Sequence, residues 1–244
     1  MKFLFSSLLT FLFSGLHLSA QEPADSKPKA PTGRLVWFVA ASLPDNLENP
    51  VSVMTGTDIK PITLSKRMAS EPVKIPADGI IKIVRKVPNP ADSAKPTYLT
   101  LAQAVIPEGM AKAMIILAPA APKEGSSLVF QTKIQDLAGF KGGDYLYLNL
   151  TSLNMAVQLG DKKLGIKPGE TTIYDAGGLA AATEMPVSYY SFDPEDKKWK
   201  MLTASTIIVQ PTRREICIFT WDLSLNQIDY IGVTFPVTPD KPNE

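Results

Sequence analysis

Two segments of the chain share one sequence pattern. Residues 34–56, RLVWFVAASLPDNLENPVSVMTG, and residues 145–170, YLYLNLTSLNMAVQLGDKKLGIKPGE, both pass from an aromatic strand through Ser-Leu into an alternating second strand that ends at a glycine. The first copy carries the additional residues PDNLE in its loop. Matched positions are Ser42-Leu43 with Ser152-Leu153, Val53 with Val157, and Gly56 with Gly160. Such self-similarity indicates one structural unit of roughly 100 residues used twice.

Two later correspondences extend the repeat. KIPADGIIKI at 74–83 is matched with GIKPGETTIY at 165–174, each a Pro/Gly turn that leads into a strand. The segment 98–136 is matched with 201–237, because in both a long strand ends at a proline before an apolar strand and a hairpin follow. The two copies should therefore share one topology.

The local pattern predicts an all-β protein. Short runs rich in Val, Ile, Thr, Tyr and Phe are separated by turn residues, and 21 prolines leave little room for long helices. Only two brief helices are predicted, at 136–140 and 179–183. Two copies with seven or eight short strands each predict two tandem antiparallel β-sandwiches of immunoglobulin-like size.

The predicted boundaries follow from composition. They are a signal peptide (1–20), a Pro-rich tether (21–33), a first sandwich (34–138), a Gly-rich linker (139–144), a second sandwich (145–238) and a tail (239–244). Because the linker is short and the two units could share an interface, a single larger barrel or sandwich is the alternative architecture.

The pattern shared by the openings of both copies, a hydrophobic strand, Ser-Leu, Val-x-x-Gly, a turn that contains Pro and Gly and a further strand, is similar to the openings of small envelope-associated β-sandwich domains in secreted bacterial proteins. The resemblance covers about 25 residues of each copy. It implies an immunoglobulin-like fold and transfers no functional residue.

The N-terminus predicts export. MKFLFSSLLTFLFSGLHLSA has one early lysine, a Leu/Phe-rich run and small residues at Ser19 and Ala20, which is typical of a secretory signal peptide cleaved after Ala20. We expect a secreted or periplasmic protein without an integral membrane span after cleavage. An uncleaved anchor is the alternative, although the apolar run is shorter than the ~20 residues of a membrane span.

Composition then excludes several mechanisms. Cleavage removes His17, the only histidine, and leaves equal numbers of acidic and basic side chains. Catalytic triads, dyads and zinc sites that need histidine are thus excluded. Because the mature chain has no excess of basic residues, nucleic-acid binding is not predicted. The single cysteine, Cys217, lies in the apolar run REICIFTW and is predicted to be buried in the core. No cofactor is predicted.

Two motifs have structural explanations. Gly160 to Gly165 lacks the Lys-Ser/Thr of a phosphate-binding loop and lies between strands, so a hairpin turn at Gly160-Asp161 is predicted. Asn149-Leu150-Thr151 is a glycosylation sequon, but Asn149 lies on an alternating strand where it is expected to be poorly accessible.

Candidate binding residues lie close together in the second copy. Asp193, Glu195 and Asp196 are hard oxygen ligands on a loop and could hold calcium, the alternative being a solvated turn balanced by neighbouring lysines. Trp199, Tyr189 and Tyr190 could form a platform on which sugar rings stack, the alternative for Trp199 being a half-buried edge position.

The sequence therefore predicts a secreted, non-enzymatic binding or structural module of the cell envelope or extracellular space, with an envelope protein or polysaccharide as partner. A carbohydrate-binding module that uses exposed aromatic residues is one alternative. A carboxylate-based hydrolase is the other, and it would require two carboxyl groups that converge on a pocket.

Overall fold

The computed structural model describes residues 33–90, 95–121, 123–222 and 225–237, which belong to one compact unit. The predicted signal peptide, the tether up to residue 32 and the tail lie outside the described residues. Within these residues there are sixteen β-strands and no helix, so the two short helices expected at 136–140 and 179–183 were wrong: both stretches form turns and extended chain.

Eight strands form the first copy and eight form the second. The first are β1 (Leu35–Ala40), β2 (Val51–Thr55), β3 (Asp58–Ile62), β4 (Val73–Lys74), β5 (Ile80–Val87), β6 (Thr97–Val105), β7 (Lys112–Pro119) and β8 (Phe130–Asp136). The second are β9 (Tyr145–Asn149), β10 (Met155–Leu159), β11 (Lys162–Ile166), β12 (Thr171–Tyr174), β13 (Thr183–Asp193), β14 (Lys198–Val209), β15 (Arg213–Asp222) and β16 (Gln227–Pro236).

The two copies have identical strand orders. Sheets β4-β1-β7-β8 and β3-β2-β5-β6 make the first sandwich, and sheets β12-β9-β15-β16 and β11-β10-β13-β14 make the second. The predicted fold class, two tandem β-sandwiches related by an internal repeat, is confirmed. Each sandwich also contains one parallel pair that the sequence did not predict, β1 with β7 and β9 with β15.

The repeat extends to the register of the strands. Val53 pairs with Ile83 in the first copy, as Val157 pairs with Tyr189 in the second. Gly56 and Gly160 occupy the same hairpin turn with φ of 62° and 57°, a conformation that favours glycine. The predicted hairpin at Gly160-Asp161 is thereby confirmed, since Leu159 pairs with Lys162 across it.

One predicted correspondence was wrong. Residues 74–83 contain the turn between β4 and β5, whereas residues 165–174 contain the turn between β11 and β12. The true counterpart of β12 is β4, because each lies at a sheet edge beside the first strand of its copy. Both turns contain proline and glycine, and the similarity in turn chemistry produced the misalignment.

Three apolar cores run through the described part of the molecule. One lies inside each sandwich, and the third lies between the sheets β4-β1-β7-β8 and β12-β9-β15-β16. Alternate residues of β1 point to different cores, Phe38 into the first sandwich and Val39 into this third one. We call the third the junction core; its buried members are Val39, Ala41, Met114, Ile116, Leu137, Phe140, Leu146, Leu148, Ile216, Ile218, Val233 and Phe235. The fold is thus four sheets deep.

The predicted Gly-rich linker, 139–144, is built into this junction. Phe140 is buried in the junction core, and the Arg214 guanidinium donates to its carbonyl oxygen at 2.5 Å. The Asp144 carboxylate, itself buried, accepts hydrogen bonds from the backbone N–H groups of Lys141 (2.8 Å) and Ala176 (3.1 Å). At Gly142, a Cβ atom would lie 1.7 Å from the Pro211 carbonyl oxygen. Gly142 thus serves close packing rather than a loose connection.

Cys217 is buried at the centre of the second sandwich, as predicted. Burial raises the pKa of its thiol to about 12. The thiol therefore stays protonated and unreactive in the folded protein. No helix among the described residues has the length and hydropathy that crossing a bilayer requires.

Candidate functional site

The candidate site lies on the outer face of the sheet β11-β10-β13-β14. Neighbouring residues on a strand point to opposite faces, so the two tyrosines of β13 separate. Tyr189 is buried in the core of the second sandwich, where it packs against Phe219 with ring centroids 5.2 Å apart. Tyr190 points outward and is half-buried. Of the three predicted aromatic residues, Tyr190 and Trp199 line one cleft, and Tyr189 lies beneath it.

The cleft has a volume of about 350 Å³ and a mixed lining of aromatic, apolar and polar residues. This volume is at the lower end of the range of small-molecule sites, ~300–1,000 Å³. Gln158 and Lys163 supply hydrogen-bond donors beside the rings. The lining residues are Ala156, Val157, Gln158, Lys163, Tyr190 and Trp199.

Small residues next to Tyr190 make room for the cleft. Tyr190 pairs with Ala156 on β10, and Ala156 pairs with Gly165 on β11. Residues directly opposite in an antiparallel pair share one face, so a ring, a methyl group and a hydrogen atom follow one another across the sheet. A Cβ atom at Gly165 would meet nothing within 4 Å. The space above Gly165 is open.

Trp199 stands at the start of β14 and is 49% exposed. Its ring packs edge-on against Phe192 of β13, with centroids 5.4 Å apart and planes at 65°. This contact restrains the indole ring on the outer face of the sheet while half of its surface stays accessible. Large aromatic surfaces of this kind are used for stacking on ligand rings.

The acidic residues proposed for calcium lie in the adjacent β13–β14 turn. The Lys200 ammonium group bonds the Asp193 carboxylate and lies 2.9 Å from Asp196. Asp193 also accepts the backbone N–H groups of Glu195 (2.8 Å) and Asp196 (3.2 Å). The bond from Lys200, followed by the two backbone bonds, lowers the pKa of Asp193. The carboxylates of Asp193 and Asp196 thus have protein partners. The described residues contain no cluster of three acidic, cysteine or histidine side chains suited to a metal.

The first sandwich provides an internal comparison. Ser52 and Val84 pair with each other as Ala156 and Tyr190 do. The cleft at this position has a volume of only about 70 Å³ and is also lined by Leu47, Glu48 and Pro50. Leu47 and Glu48 belong to the five-residue insertion PDNLE, which is absent from the second copy. Among the described residues, the wide aromatic cleft is therefore present at this position in the second copy and not in the first.

Other ionisable groups are buried away from the cleft. Tyr145, Tyr147 and Tyr189 surround Cys217, and burial raises the pKa of each phenol. Burial also raises the pKa of Glu215, whose carboxylate accepts hydrogen bonds from Thr234 Oγ1 at 2.9 and 3.0 Å. These groups consolidate the second sandwich, and none of them lines the cleft.

No protein-family model matches the chain, and no curated protein sequence matches it significantly. Fold and cleft together define its class: an all-β protein of two repeated sandwiches, with one wide aromatic cleft on the outer sheet of the second.

Proposed function

We propose that this is a secreted, non-enzymatic binding module of the cell envelope or extracellular space, whose ligand site is the cleft at Tyr190 and Trp199. The observation that carries the proposal is the pairing of an accessible indole and a phenol with open space over Ala156 and Gly165. The predicted signal peptide supports a location outside the cytoplasm.

The ligand class that suits this cleft best is a carbohydrate. Sugar rings present apolar C–H faces that stack on aromatic rings and hydroxyl groups that accept and donate hydrogen bonds. Trp199 and Tyr190 offer the stacking surfaces. Gln158 and Lys163 offer donors at the cleft's polar side. A polysaccharide of the envelope would present such rings repeatedly.

The clefts of the described residues support a binding role over hydrolysis. Carboxylate hydrolases need two carboxyl groups that flank the scissile bond. The aromatic cleft has no carboxylate in its lining. The smaller cleft on the first sandwich has only Glu48, and a cleft around residues 61–71 has only Glu71.

The first test is loss of binding in Trp199→Ala. We expect the wild-type protein to bind a subset of an array of bacterial and plant polysaccharides, with affinity measured by calorimetry. Removing the indole should weaken binding roughly 10- to 100-fold, equivalent to about 1.4–2.8 kcal/mol. Trp221→Ala is the matched control, since Trp221 is similarly exposed but lies on β15 in the other sheet. An array without binding, or equal losses in both variants, would reject the carbohydrate assignment.

Filling the cleft should abolish binding without harming the fold. Gly165→Leu places a side chain in the open space beside Ala156, and the backbone there does not have the positive φ that excludes other residues. Gly232→Leu on β16 is the control, because Gly232 is also a strand glycine with open space above it. Both variants should keep the wild-type Tm within a few degrees, whereas only Gly165→Leu should lose the ligand. Unchanged ligand affinity in a folded Gly165→Leu variant would place the site elsewhere.

A further inference from the structure

Strand β14 forms an edge of its sheet, and the backbone N–H and C=O groups on its outer side have no strand partner among the described residues. Eleven of its twelve residues pair with β13, Leu202 being skipped at a β-bulge, and among the described residues no strand pairs with its other side. Within the described part of the chain, no backbone group outside β13 bonds to this strand. Met201 and Ile208 are 59% and 56% exposed on it. A long, apolar, unpaired edge is a template for the addition of another strand.

The first copy shows how the equivalent edge is covered. There, the segment before β8 folds over β6: Val129 N–H donates to the Leu101 carbonyl oxygen at 2.8 Å, and Ser127 Oγ donates to the Thr100 carbonyl oxygen at 2.7 Å. Thr132 Oγ1 donates to the Gln103 carbonyl oxygen at 2.8 Å. Leu101 of β6 and Leu202 of β14 are equivalent, since each is skipped at a β-bulge in the pairing of its strand. The covered Leu101 is 4% exposed, whereas Leu202 is 37% exposed.

Loop length explains the difference. The connection from β7 to β8 runs over residues 120–129, and its last part supplies the cover. The connection from β15 to β16 consists only of residues 223–226. It is too short to supply the same cover to β14. The second copy therefore lacks a counterpart of the segment that covers this edge in the first.

Sequence pattern adds a second argument. Edge strands exposed to solvent are normally protected by charges, prolines or a short length. From Met201 to Val209 the strand reads MLTASTIIV, nine residues without a charge or a proline. The charged residues Lys198 and Lys200 lie at one end of β14. An antiparallel partner of the same sequence would place the two pairs of lysines at opposite ends, so like charges would not meet.

We propose that β14 pairs antiparallel with β14 of a second copy of this chain. The free hydrogen-bonding groups can be assigned from Pro186, which lies opposite Thr206. The Pro186 carbonyl accepts from Gly160 N–H on the β10 side, so the 186–206 pair does not exchange hydrogen bonds and the N–H and C=O of Thr206 point to the free edge.

A two-fold axis at Thr206 pairs the free backbone groups of both copies and keeps their outer faces on the same side of the joined sheet. It sets Thr206 opposite Thr206 of the second copy, with Ala204 opposite Ile208. These three residues share the outer face, since they pair with Ser188, Pro186 and Glu184 of β13. The two four-stranded sheets become one sheet of eight strands. Trp199 lies outside the paired stretch, so both aromatic clefts open on the same face of the assembly.

The experiment measures the mass of the full chain without its predicted signal peptide by analytical ultracentrifugation from 1 to 100 μM. We expect a dimer for the wild type. Thr206→Lys, which sets two ammonium groups against each other on the axis, should raise the dissociation constant at least about tenfold. Thr97→Lys, on an exposed threonine of β6, is the matched control and should leave the dimer intact.

A second variant fixes the register. Directly opposed residues of a hydrogen-bonded pair have Cα atoms about 5.5 Å apart, which a disulfide can bridge. Thr206→Cys should therefore cross-link into a covalent dimer on oxidation. Ser205→Cys should not, because Ser205 lies opposite Ile207 of the second copy and not opposite Ser205. A wild-type protein that is monomeric at 100 μM would contradict the proposal. So would a Thr206→Lys variant that dimerises as tightly as the wild type. Protection of β14 amides in a monomer would equally overturn it, since another segment of the same chain would then cover the edge.

Discussion

Replacing Leu117 by alanine in the first sandwich is expected to accelerate the labelling of Cys217 in the second by roughly 30-fold to several thousand-fold. Leu117 is fully buried in the core of the first sandwich, and Cys217 lies in the core of the second. A Leu→Ala cavity costs about 2–5 kcal/mol of unfolding free energy. The two residues share no core, so the effect must pass through the junction.

The junction core couples the stability of the two sandwiches, because both contribute residues to it. Strand β7 carries Leu117 on one face and Ile116 on the other, and Ile116 is buried against the second sandwich. Unfolding the first sandwich would expose the junction faces of β9 and β15, including Leu146 and Ile218. Exposing that apolar area costs free energy at ~25 cal/mol per Å². The two sandwiches should therefore unfold as one cooperative unit.

The measurement uses the cysteine itself. Its thiol has a pKa raised to about 12 and is 4% exposed, so a thiol reagent at pH 8 reacts only through opened molecules. Phe219→Ala, in the same core as Cys217, is the positive control for the labelling assay. Acceleration by Phe219→Ala without acceleration by Leu117→Ala would mean that the sandwiches open independently.

The sequence predicted the sandwiches well because their local signals are strong. Gly56 and Gly160 mark the same turn in each copy, and its positive φ requires a residue such as glycine. A shared interface was part of the alternative architecture, but the residues of the junction core were not predicted, although their signal is present. KAMIILA is apolar at consecutive positions, and a strand with both faces buried reads in this way. The glycines of the linker also suggested looseness, whereas Asp144 and Arg214 tie that segment down.

The candidate site was predicted only in part. The flanking lysines predict that Trp199 is accessible, and the structure places it at the surface. Tyr189 and Tyr190 could not be separated from sequence, because a strand shows which neighbours alternate but not which face is the core when both are aromatic. The small residues Ala156 and Gly165 were not proposed, since a cleft floor is recognised only when strands are paired in register.

Asn149→Ala should be among the most destabilising single changes in the protein, at about 3–5 kcal/mol. The Asn149 side chain is fully buried at the end of β9. Its amide nitrogen donates to the carbonyl oxygens of Leu153 (2.7 Å) and Ile166 (3.0 Å), and its Oδ1 accepts from Thr151 N–H (2.9 Å) and Thr151 Oγ1 (2.7 Å). Alanine would leave buried polar groups on three residues without these partners.

The measurement is urea unfolding followed by tryptophan fluorescence, with Asn154→Ala as the control. Asn154 belongs to the same loop but its side chain is exposed, so its replacement should change the unfolding free energy by less than about 0.5 kcal/mol. Thr151→Val should fall between the two, because it removes only the hydroxyl group from the network. Equal unfolding free energies for Asn149→Ala and Asn154→Ala would show that the buried network does not stabilise the fold.

Asn149→Asp separates the hydrogen bonds from the shape of the side chain. An ionised carboxylate would face the carbonyl oxygens of Leu153 and Ile166, which can only accept. A protonated carboxyl group could still donate to one of them. The variant should therefore lose more stability at pH 7 than at pH 4, each compared with wild type at the same pH.

The buried amide of Asn149 also predicts the behaviour of the sequon at 149–151. Because this amide is hydrogen-bonded and inaccessible in the folded chain, the sequon should stay unmodified when the folded protein is offered to a glycosylating system. Mass spectrometry would check this result.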